Sequence, residues 1–217
     1  MAVLTVSRQL GSHGGRIARS LAKELGYPLV DKAVINKIIR QYGLTRLDRI
    51  YDRKPRIWDL FNEDSADTIQ MMNETIAAFA ARGDVVILGR GGFRVLAGMA
   101  DVLNVFVKAP DDVRAQRIAK RDSISDGEAG ELIKADDELR SRFVRMFYSA
   151  NWAEESAYDL VVDTGALSDA EASARISEAL RALPRGSGRR ASDLEVDPVL
   201  AQTVGEVLAR RAAKTGS

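Results

Sequence analysis

A glycine-rich segment near the N-terminus carries residue types that bind phosphate. It runs from Ser7 to Gly26, SRQLGSHGGRIARSLAKELG, and follows the apolar run Ala2 to Val6. Successive backbone N–H groups in such a loop, together with the N-terminus of a following helix, make an anion site. Gly11, Gly14 and Gly15 permit the turn and the close approach of a ligand. The order of strand, glycine loop and helix therefore predicts a phosphate-binding loop.

The end of this loop departs from the usual phosphate-loop motif, in which a lysine precedes a serine or threonine. Arg16 and Ile17 stand at those positions. Arg16 can supply the positive charge through a planar fork, whereas the Ile17 side chain cannot bind a metal ion. Ser12 or Ser7 could replace the missing hydroxyl, and His13 could contact phosphate or have no role. A strand–helix connection that is merely rich in glycine is the alternative.

A second candidate is the arginine in VILGRGGFR, residues 86–94. An apolar strand that ends in Gly-Arg delivers Arg90 to the carboxyl edge of a parallel sheet, where open α/β folds bind ligands. Arg90 would then face the same crevice as the glycine loop. The alternative is a solvated arginine after a strand, since Gly91 and Gly92 also suit a plain turn.

A third candidate is a group of arginines farther along the chain. Arg114, Arg117 and Arg121 lie three and four residues apart, on one helical face. The segment DDELRSRFVR follows and contains Arg140. Clustered arginines of a closing lid neutralise charge on a transferring phosphoryl group. Taken alone, the cluster is equally well explained as a solvated helix face.

Alternating strands and helices position these residues. Five short apolar strands are each followed by a helical segment, which predicts a three-layer α/β fold, a parallel sheet of about five strands with helices on both faces. We expect a main domain over residues 1–183, with a helical insert over 44–82 and a lid over 117–150. A flexible basic linker over 184–197 and a C-terminal helix over 198–217 follow.

The composition narrows the function classes. The 217 residues are 46% hydrophobic and 29% charged, with a formal net charge of +1, so nothing favours nonspecific binding to nucleic acid or membranes. The chain has no cysteine and one histidine, His13, which excludes thiolate and multi-histidine metal sites. No apolar run reaches the ~18 residues of a membrane span. We expect a soluble cytoplasmic protein.

The three motifs, in this order, resemble those of the cytidylate-kinase-like proteins, a branch of the P-loop nucleoside monophosphate kinases. The opening SRQLGSHGGRIARSLAKELGYPLVDKAVI, the segment VILGRGGFRVL and the strand and helix VFVKAPDDVRAQRIAKR are similar to segments of that family. DDELRSRF resembles the Asp-x-x-Arg element of the lid, and YDLVVDTGALSDAEA resembles the closing strand and helix. The resemblance spans residues 2–183 and implies a P-loop NTPase fold.

The resemblance implies ATP-dependent phosphoryl transfer, with Mg²⁺, to a nucleoside monophosphate such as CMP or dCMP, or to a related small phosphorylated acceptor. The implied ATP-binding residues are Gly11, Ser12, His13, Gly14, Gly15, Arg16 and Ile17. The implied catalytic residues are Arg16, Arg117, Arg121, Arg140 and Asp137. Asp137 would orient one of Arg117, Arg121 and Arg140 through an ion pair. Asp31 and Arg90 are the implied acceptor ligands, with no metal ligand assigned.

The chain also departs from the family pattern. Asp31 begins the sequence DKAV where Asp-Thr-Gly is usual, and Asp136 stands where the lid has a further arginine. Together with Ile17, these differences leave a second hypothesis open, a nucleotide-binding regulator without kinase activity. Its partners would be reached through the C-terminal tail, in which RRAS, residues 189–192, also resembles a phosphorylation site. Association as a homodimer stays open.

Overall fold

Five parallel strands form the centre of the fold. The computed structural model describes residues 1–41, 63–184 and 188–215. Its strands lie in the order β2–β3–β1–β4–β5. They are β1 (Val3–Arg8), β2 (Leu29–Val30), β3 (Val85–Leu88), β4 (Val102–Lys108) and β5 (Leu160–Asp163). Every neighbouring pair is parallel, which confirms the predicted fold class.

Helices follow each strand, as the alternation predicts. They are α1 (Gly14–Leu25), α2 (Lys32–Gln41), α3 (Glu63–Ala81), the short α4 (Gly92–Val95), α5 (Asp111–Asp122), α6 (Asp126–Tyr148), α7 (Asp169–Arg181) and α8 (Pro198–Thr215). Two 3₁₀ turns lie at Glu155–Ala157 and Ala191–Asp193. Within the ranges the structure describes, no helix is long and apolar enough to cross a membrane.

The strands are apolar on both sides because helices cover both faces of the sheet. Leu4 and Val6 pack with α1 and α7, whereas Val3, on the opposite face of the strand, packs with α2, α3 and α8. Side chains alternate between the faces along a strand, so a run without polar residues fits a central parallel strand. β3 is buried at all four positions for the same reason.

Local signals at the helix ends agree with the sequence. Gly26 ends α1 in the left-handed conformation, with φ of 69°. Ser168 and Glu171 form the predicted capping box at the start of α7. A second capping box, between Ser125 and Glu128, begins α6. These caps fix where α6 and α7 start relative to the sheet edge.

The described part of the predicted linker packs against the domain. Ala191 is fully buried, and its N–H donates to Asp101 Oδ1 at 2.7 Å. The Ala100 N–H also donates to the Arg189 carbonyl at 2.8 Å. The chain then continues into α8, which packs on α3. Residues 42–62, which include about half of the predicted helical insert over 44–82, and with it Arg53, Arg56 and Trp58, lie outside the described residues.

The carboxyl ends of β1, β3 and β4 meet at one edge of the sheet. β1 lies between β3 and β4. The chain leaves β1 toward β2 and leaves the neighbouring β4 toward β5, so these two connections run in opposite directions. In open parallel sheets, the crevice outside such a switch point is where ligands bind. The glycine loop after β1 and the Gly-Arg turn after β3 both open onto this crevice.

Candidate active site

The glycine loop joins the end of β1 to the start of α1. Gly11 has φ of 81°, and a Cβ on it would lie 2.8 Å from the Arg114 carbonyl oxygen. His13 precedes the helix in the left-handed conformation, with φ of 60°. The first N–H groups of a helix have no acceptor within it, so they are available to an anion. The loop therefore has the form of a phosphate site.

Ser12 holds the loop together from inside. It is fully buried, and its hydroxyl donates to the Gln9 carbonyl at 2.9 Å. The Thr164 hydroxyl, at the end of β5, lies 2.9 Å from the Ser12 carbonyl oxygen, to which it can donate. Ile17 is 1% exposed and packs into the core between α1 and the sheet. Ser12 thus has a structural task, and Ile17 faces away from the crevice.

Arg16 points from the loop to the start of α7. Its side chain is 63% exposed, and its Nε donates to Asp169. His13 Nδ1 lies 2.9 Å from Asp169 Oδ1 and 2.7 Å from Arg16 Nη2. A carboxylate only accepts, so His13 Nδ1 must carry a proton in order to donate to Asp169. Nδ1 then has no lone pair with which to accept a hydrogen bond from Arg16. Asp169 therefore binds the side chains of both His13 and Arg16 at the outer side of the loop.

The pKa of Asp169 reflects these contacts. Burial raises it, but the hydrogen bonds and charges of Arg16 and His13 outweigh burial and leave the pKa below its ordinary value. Asp169 was not among the residues predicted from the sequence. It lies 153 positions from Arg16, and its place at the first turn of a predicted helix suggests only a helix terminus.

Arg114 is the most deeply buried of the predicted lid arginines. Only 2% of its side chain is exposed, and it bonds Asp137 at 2.9 Å and Asp111 at 2.6 Å. It also donates to the Leu10 carbonyl at 3.3 Å. Burial raises the pKa of Asp137, and the charge and hydrogen bond of Arg114 offset only part of that rise. The structure thus corrects the prediction for Asp137, which pairs with the buried Arg114 and not, among the described contacts, with Arg117, Arg121 or Arg140.

Arg117 joins the glycine loop to the end of β5. Its Nη1 donates to the Gly11 carbonyl at 3.2 Å and to the Thr164 hydroxyl at 3.0 Å, and its Nη2 donates to the Thr164 carbonyl at 2.7 Å. These acceptors are neutral, so they leave the positive charge of the guanidinium uncompensated. Arg117 therefore both fixes the loop and adds positive potential to it.

The other two predicted lid arginines make different contacts. Arg121 forms a two-pronged pair with Asp122, its neighbour in the chain, with both distances at 2.7 Å. Arg140 forms a similar pair with Asp136, at 2.7 and 3.1 Å, and its guanidinium lies 5.9 Å from the centre of the Trp152 ring. Arg140 lies near enough to Arg8, at the end of β1, for its charge to lower the pKa of that residue.

The predicted acceptor residues lie at the ends of β2 and β3. Arg90 follows β3 in the left-handed conformation, with φ of 61°. Asp31 follows β2, and its Oδ1 accepts the Val34 N–H at 3.1 Å, which caps the start of α2. The structure thus brings Arg90 to the crevice and gives Asp31 a capping contact.

A groove lies beside the Arg90 turn, between α3 and α6. Its volume is about 520 Å³, and its lining includes Ile69, Gln70, Asn73, Glu74, Met146 and Phe147. The Tyr148 hydroxyl donates to Oδ1 of Asn73, one of the lining residues, at 2.7 Å. The Tyr148 ring covers Gly91, where a Cβ would lie 2.5 Å from ring atoms. The groove therefore lies between α3, which belongs to the predicted helical insert, and α6, which belongs to the predicted lid, beside Arg90.

Arg8, the last residue of β1, was not predicted as a site residue. Its side chain passes so close to Gly89 that a Cβ there would lie 2.2 Å from Nη1. Its pKa is lowered to about 10, first by burial and then by the charges of Arg140 and Arg90. The same reasoning that selected Arg90, an arginine at the carboxyl end of a central strand, could have found it.

Comparison with known proteins places the chain in a family. The model of the cytidylate kinase-like family matches residues 3–166. A cytidylate kinase of Ignicoccus hospitalis is 36% identical over 167 residues, which are 76% of this chain and 90% of that one. A cytidylate kinase of Pyrobaculum arsenaticum is 33% identical over 171 residues, 77% and 86% of the two chains.

A solved structure shares the fold. The crystal structure of an uncharacterized protein from Eubacterium ventriosum superposes with a TM-score of 0.69 at 18% sequence identity, covering 84% of this chain and 99% of that one. The fold, the ordered motifs and the family match agree. This chain belongs to the cytidylate kinase-like family.

Proposed function

We propose that the protein transfers a phosphoryl group from ATP to a nucleoside monophosphate of the CMP or dCMP type, or to a related small phosphorylated acceptor. One observation carries the proposal. A glycine loop, a Gly-Arg turn and a lid arginine, from three separate parts of the chain, converge on the switch point of a parallel sheet. Relatives named cytidylate kinase, at 33–36% identity, support the nucleotide acceptor.

ATP would bind with its phosphates against the loop, through the N–H groups of Gly11, His13 and Gly15. Those of Ser12, Gly14 and Arg16 are bonded within the loop itself. Arg16, held by Asp169, would add positive potential at the outer side of the loop. The contacts of Arg117 to Gly11 and Thr164 would keep the loop rigid while it binds. Phosphoryl transfer requires little of a protein beyond positioning and charge stabilisation, so such a rigid cradle fits the reaction.

The acceptor would bind beside Arg90, with its phosphate or base held by the guanidinium. The groove between α3 and α6 would receive the rest of the molecule, with Asp31 at the end of β2 near its entrance. An oxygen of the acceptor phosphate attacks the terminal phosphorus of ATP, the bond to the bridging oxygen breaks, and ADP leaves. Arg140 would stabilise the charge that spreads over the transferring group, with Arg121 joining it when the lid closes.

Mg²⁺ would enter with ATP and would supply positive charge that neutralises the phosphates. Among the described residues, no group of three or more acidic or histidine side chains could hold a metal ion alone. The Ser12 hydroxyl is engaged with Gln9, and one Asp31 oxygen caps α2. The donor set thus fits an ion that is carried largely by the nucleotide.

A coupled assay of ADP release tests the proposal, using ATP with each nucleoside monophosphate and with small phosphorylated metabolites in turn. We expect turnover with CMP or dCMP above the rate without acceptor. Arg90→Ala should raise the KM of the acceptor with little change in the KM of ATP. Tight ATP binding without turnover on any acceptor would instead indicate the non-catalytic regulator.

A further inference from the structure

Arg8 occupies the centre of the crevice. It ends β1, the strand at which the sheet connections reverse, and its side chain runs between the first residue of α1 and the turn after β3. A Cβ on Gly14 would lie 2.5 Å from Arg8 Cβ, and a Cβ on Gly89 would lie 2.2 Å from Nη1. Gly14 therefore leaves room for the stem of the Arg8 side chain, and Gly89 leaves room for its guanidinium where it now lies.

The surroundings of Arg8 are rich in positive charge. Its pKa is lowered to about 10 by burial and by Arg140, Arg90 and Arg19, with Asp136 as the opposing carboxylate. Asp136 is already bound at both oxygens by Arg140. Within residues 1–41, 63–184 and 188–215, no hydrogen bond or ion pair reaches the Arg8 guanidinium. Such a cluster favours a bound anion that carries more than one negative charge.

Arg16 has the opposite character, although the sequence motif suggests it as the loop cation. Its side chain is 63% exposed, and Asp169 compensates its charge at the start of α7. A cation that stabilises a transferring phosphoryl group works best in a site removed from water, where its charge is not already paired. Arg8 is partly buried and its charge is unpaired among the described residues, whereas Arg16 is exposed and paired.

We propose that Arg8 is the cation of this phosphate loop, binding the terminal phosphate of ATP from the end of β1 in place of the usual lysine. The proposal rests on the proposed function for its substrate. The guanidinium would donate two N–H groups to phosphate oxygens, a geometry that a planar fork provides and an ammonium does not. Arg8 neither gives nor takes a proton in the transfer; it stabilises the charge on the phosphate oxygens.

Four variants of the full chain test this assignment: Arg8→Gln, Arg8→Lys, Arg16→Gln and Arg175→Gln. Arg175 is an exposed residue of α7 and serves as the control for the loss of one positive charge. Titration calorimetry with ATP and with AMP, each with Mg²⁺, measures binding. Because AMP lacks the β- and γ-phosphates, it separates a contact to the terminal phosphates from a general effect on the nucleotide site.

We expect Arg8→Gln to weaken ATP binding about 10-fold to 100-fold, the loss expected for a charged hydrogen bond, with AMP binding unchanged. The kcat should fall about 100-fold to 1,000-fold, as for removal of one donor to a transition-state oxyanion. Arg8→Lys should restore part of the loss, Arg16→Gln should lose less than Arg8→Gln, and Arg175→Gln should match the wild type.

Two results would overturn the assignment of Arg8. One is ATP binding by Arg8→Gln within twofold of the wild type, and the other is a larger loss in Arg16→Gln. If the wild type binds ATP but transfers nothing, the transfer reaction fails while the binding comparison still decides the role of Arg8. If the wild type binds no ATP, both proposals fail.

A folding control accompanies the binding measurements. Arg8→Gln removes a desolvated charge that has no partner among the described residues, so we expect its melting temperature to equal or exceed that of the wild type. A marked decrease would show that Arg8 is held by the protein itself and would count against an anion-binding role. Arg8→Lys, which keeps the charge, provides the second variant for binding in that case.

Discussion

The guanidinium of Arg114 lies 2.9 Å from the carboxylate of Asp137, and 2% of the arginine side chain is exposed. This pair joins α5 to α6, and the same guanidinium donates to the Leu10 carbonyl in the glycine loop. The apolar contacts of Ile118 and Ile133 lie along the same two helices. The arginine-bearing helices and the loop are therefore mechanically connected through one buried side chain.

Asp137→Ala should lower the free energy of unfolding by about 3 kcal/mol, because it leaves the buried guanidinium of Arg114 with an exposed partner, Asp111. The double variant Arg114→Met/Asp137→Ala should recover part of the loss. Urea unfolding measures both. Glu138→Ala, which removes an exposed pair with Arg142, should cost less than about 1 kcal/mol. Equal losses in the free energy of unfolding for Asp137→Ala and Glu138→Ala would show that the buried pair stabilises the fold no more than the exposed pair does.

The Asp169 contacts should make stability depend on pH in the acid range. The folded protein lowers the pKa of Asp169, so below its ordinary value the unfolded chain binds more protons and stability is lost as pH falls. At pH 7, Asp169→Asn should cost about 1 kcal/mol or less, since 30% of the side chain is exposed. The difference between the wild type and Asp169→Asn should shrink as pH falls. A difference that is constant from pH 7 to 3 would contradict the ion pair.

Arg117→Ala should weaken ATP binding, because it frees the Gly11 carbonyl and the end of β5 from each other. We expect about a tenfold loss, with about 1–2 kcal/mol of stability lost from the broken hydrogen bonds. Calorimetry with ATP gives the first value and urea unfolding the second. Lys120→Ala, an exposed neighbour on α5, is the matched control and should change neither. Wild-type ATP binding by Arg117→Ala would mean that the loop keeps its form without this contact.

Tyr148→Phe should affect the acceptor and leave ATP binding unchanged. The variant keeps the ring that covers Gly91 and removes the hydroxyl that donates to Asn73. We expect a loss of about 1 kcal/mol in stability and a higher KM for the acceptor, because α3 and α6 are no longer joined beside the groove. An unchanged KM for the acceptor would show that the groove between these helices does not receive it.

The fold was predictable from local patterns. β3 is an unbroken apolar run, and β1 and β4 are mostly apolar, because helices cover both faces of the sheet. Thr5 in β1 and Asn104 in β4 are buried polar residues that bond each other. Ser168 and Glu171 mark a helix start three residues apart, and Gly26 marks a helix end. Each of these signals lies within a few residues of the feature it determines, so one sequence suffices.

The charge arrangement of the site was less predictable, because it depends on residues far apart in the chain. Arg16 was chosen by its place in a motif, and its partner Asp169 is 153 positions away. In the sequence, Arg8 is only the last residue of a strand. Its place in the crevice becomes evident from the room that Gly14 and Gly89 leave for its side chain in the folded structure. Arg90 was found because it follows a strand directly. The end of a central strand thus predicts an arginine of the site better than a position in the loop motif does.

Transfer of labelled phosphate tests the proposed reaction most directly. The wild-type protein is incubated with Mg²⁺, CMP and ATP labelled at its γ-phosphate, and the products are separated by thin-layer chromatography. We predict that the label appears in CDP, at a rate that requires both CMP and the protein. Label that stays in ATP, or that appears only as inorganic phosphate, with each nucleoside monophosphate supplied in turn, would contradict phosphoryl transfer to a nucleotide.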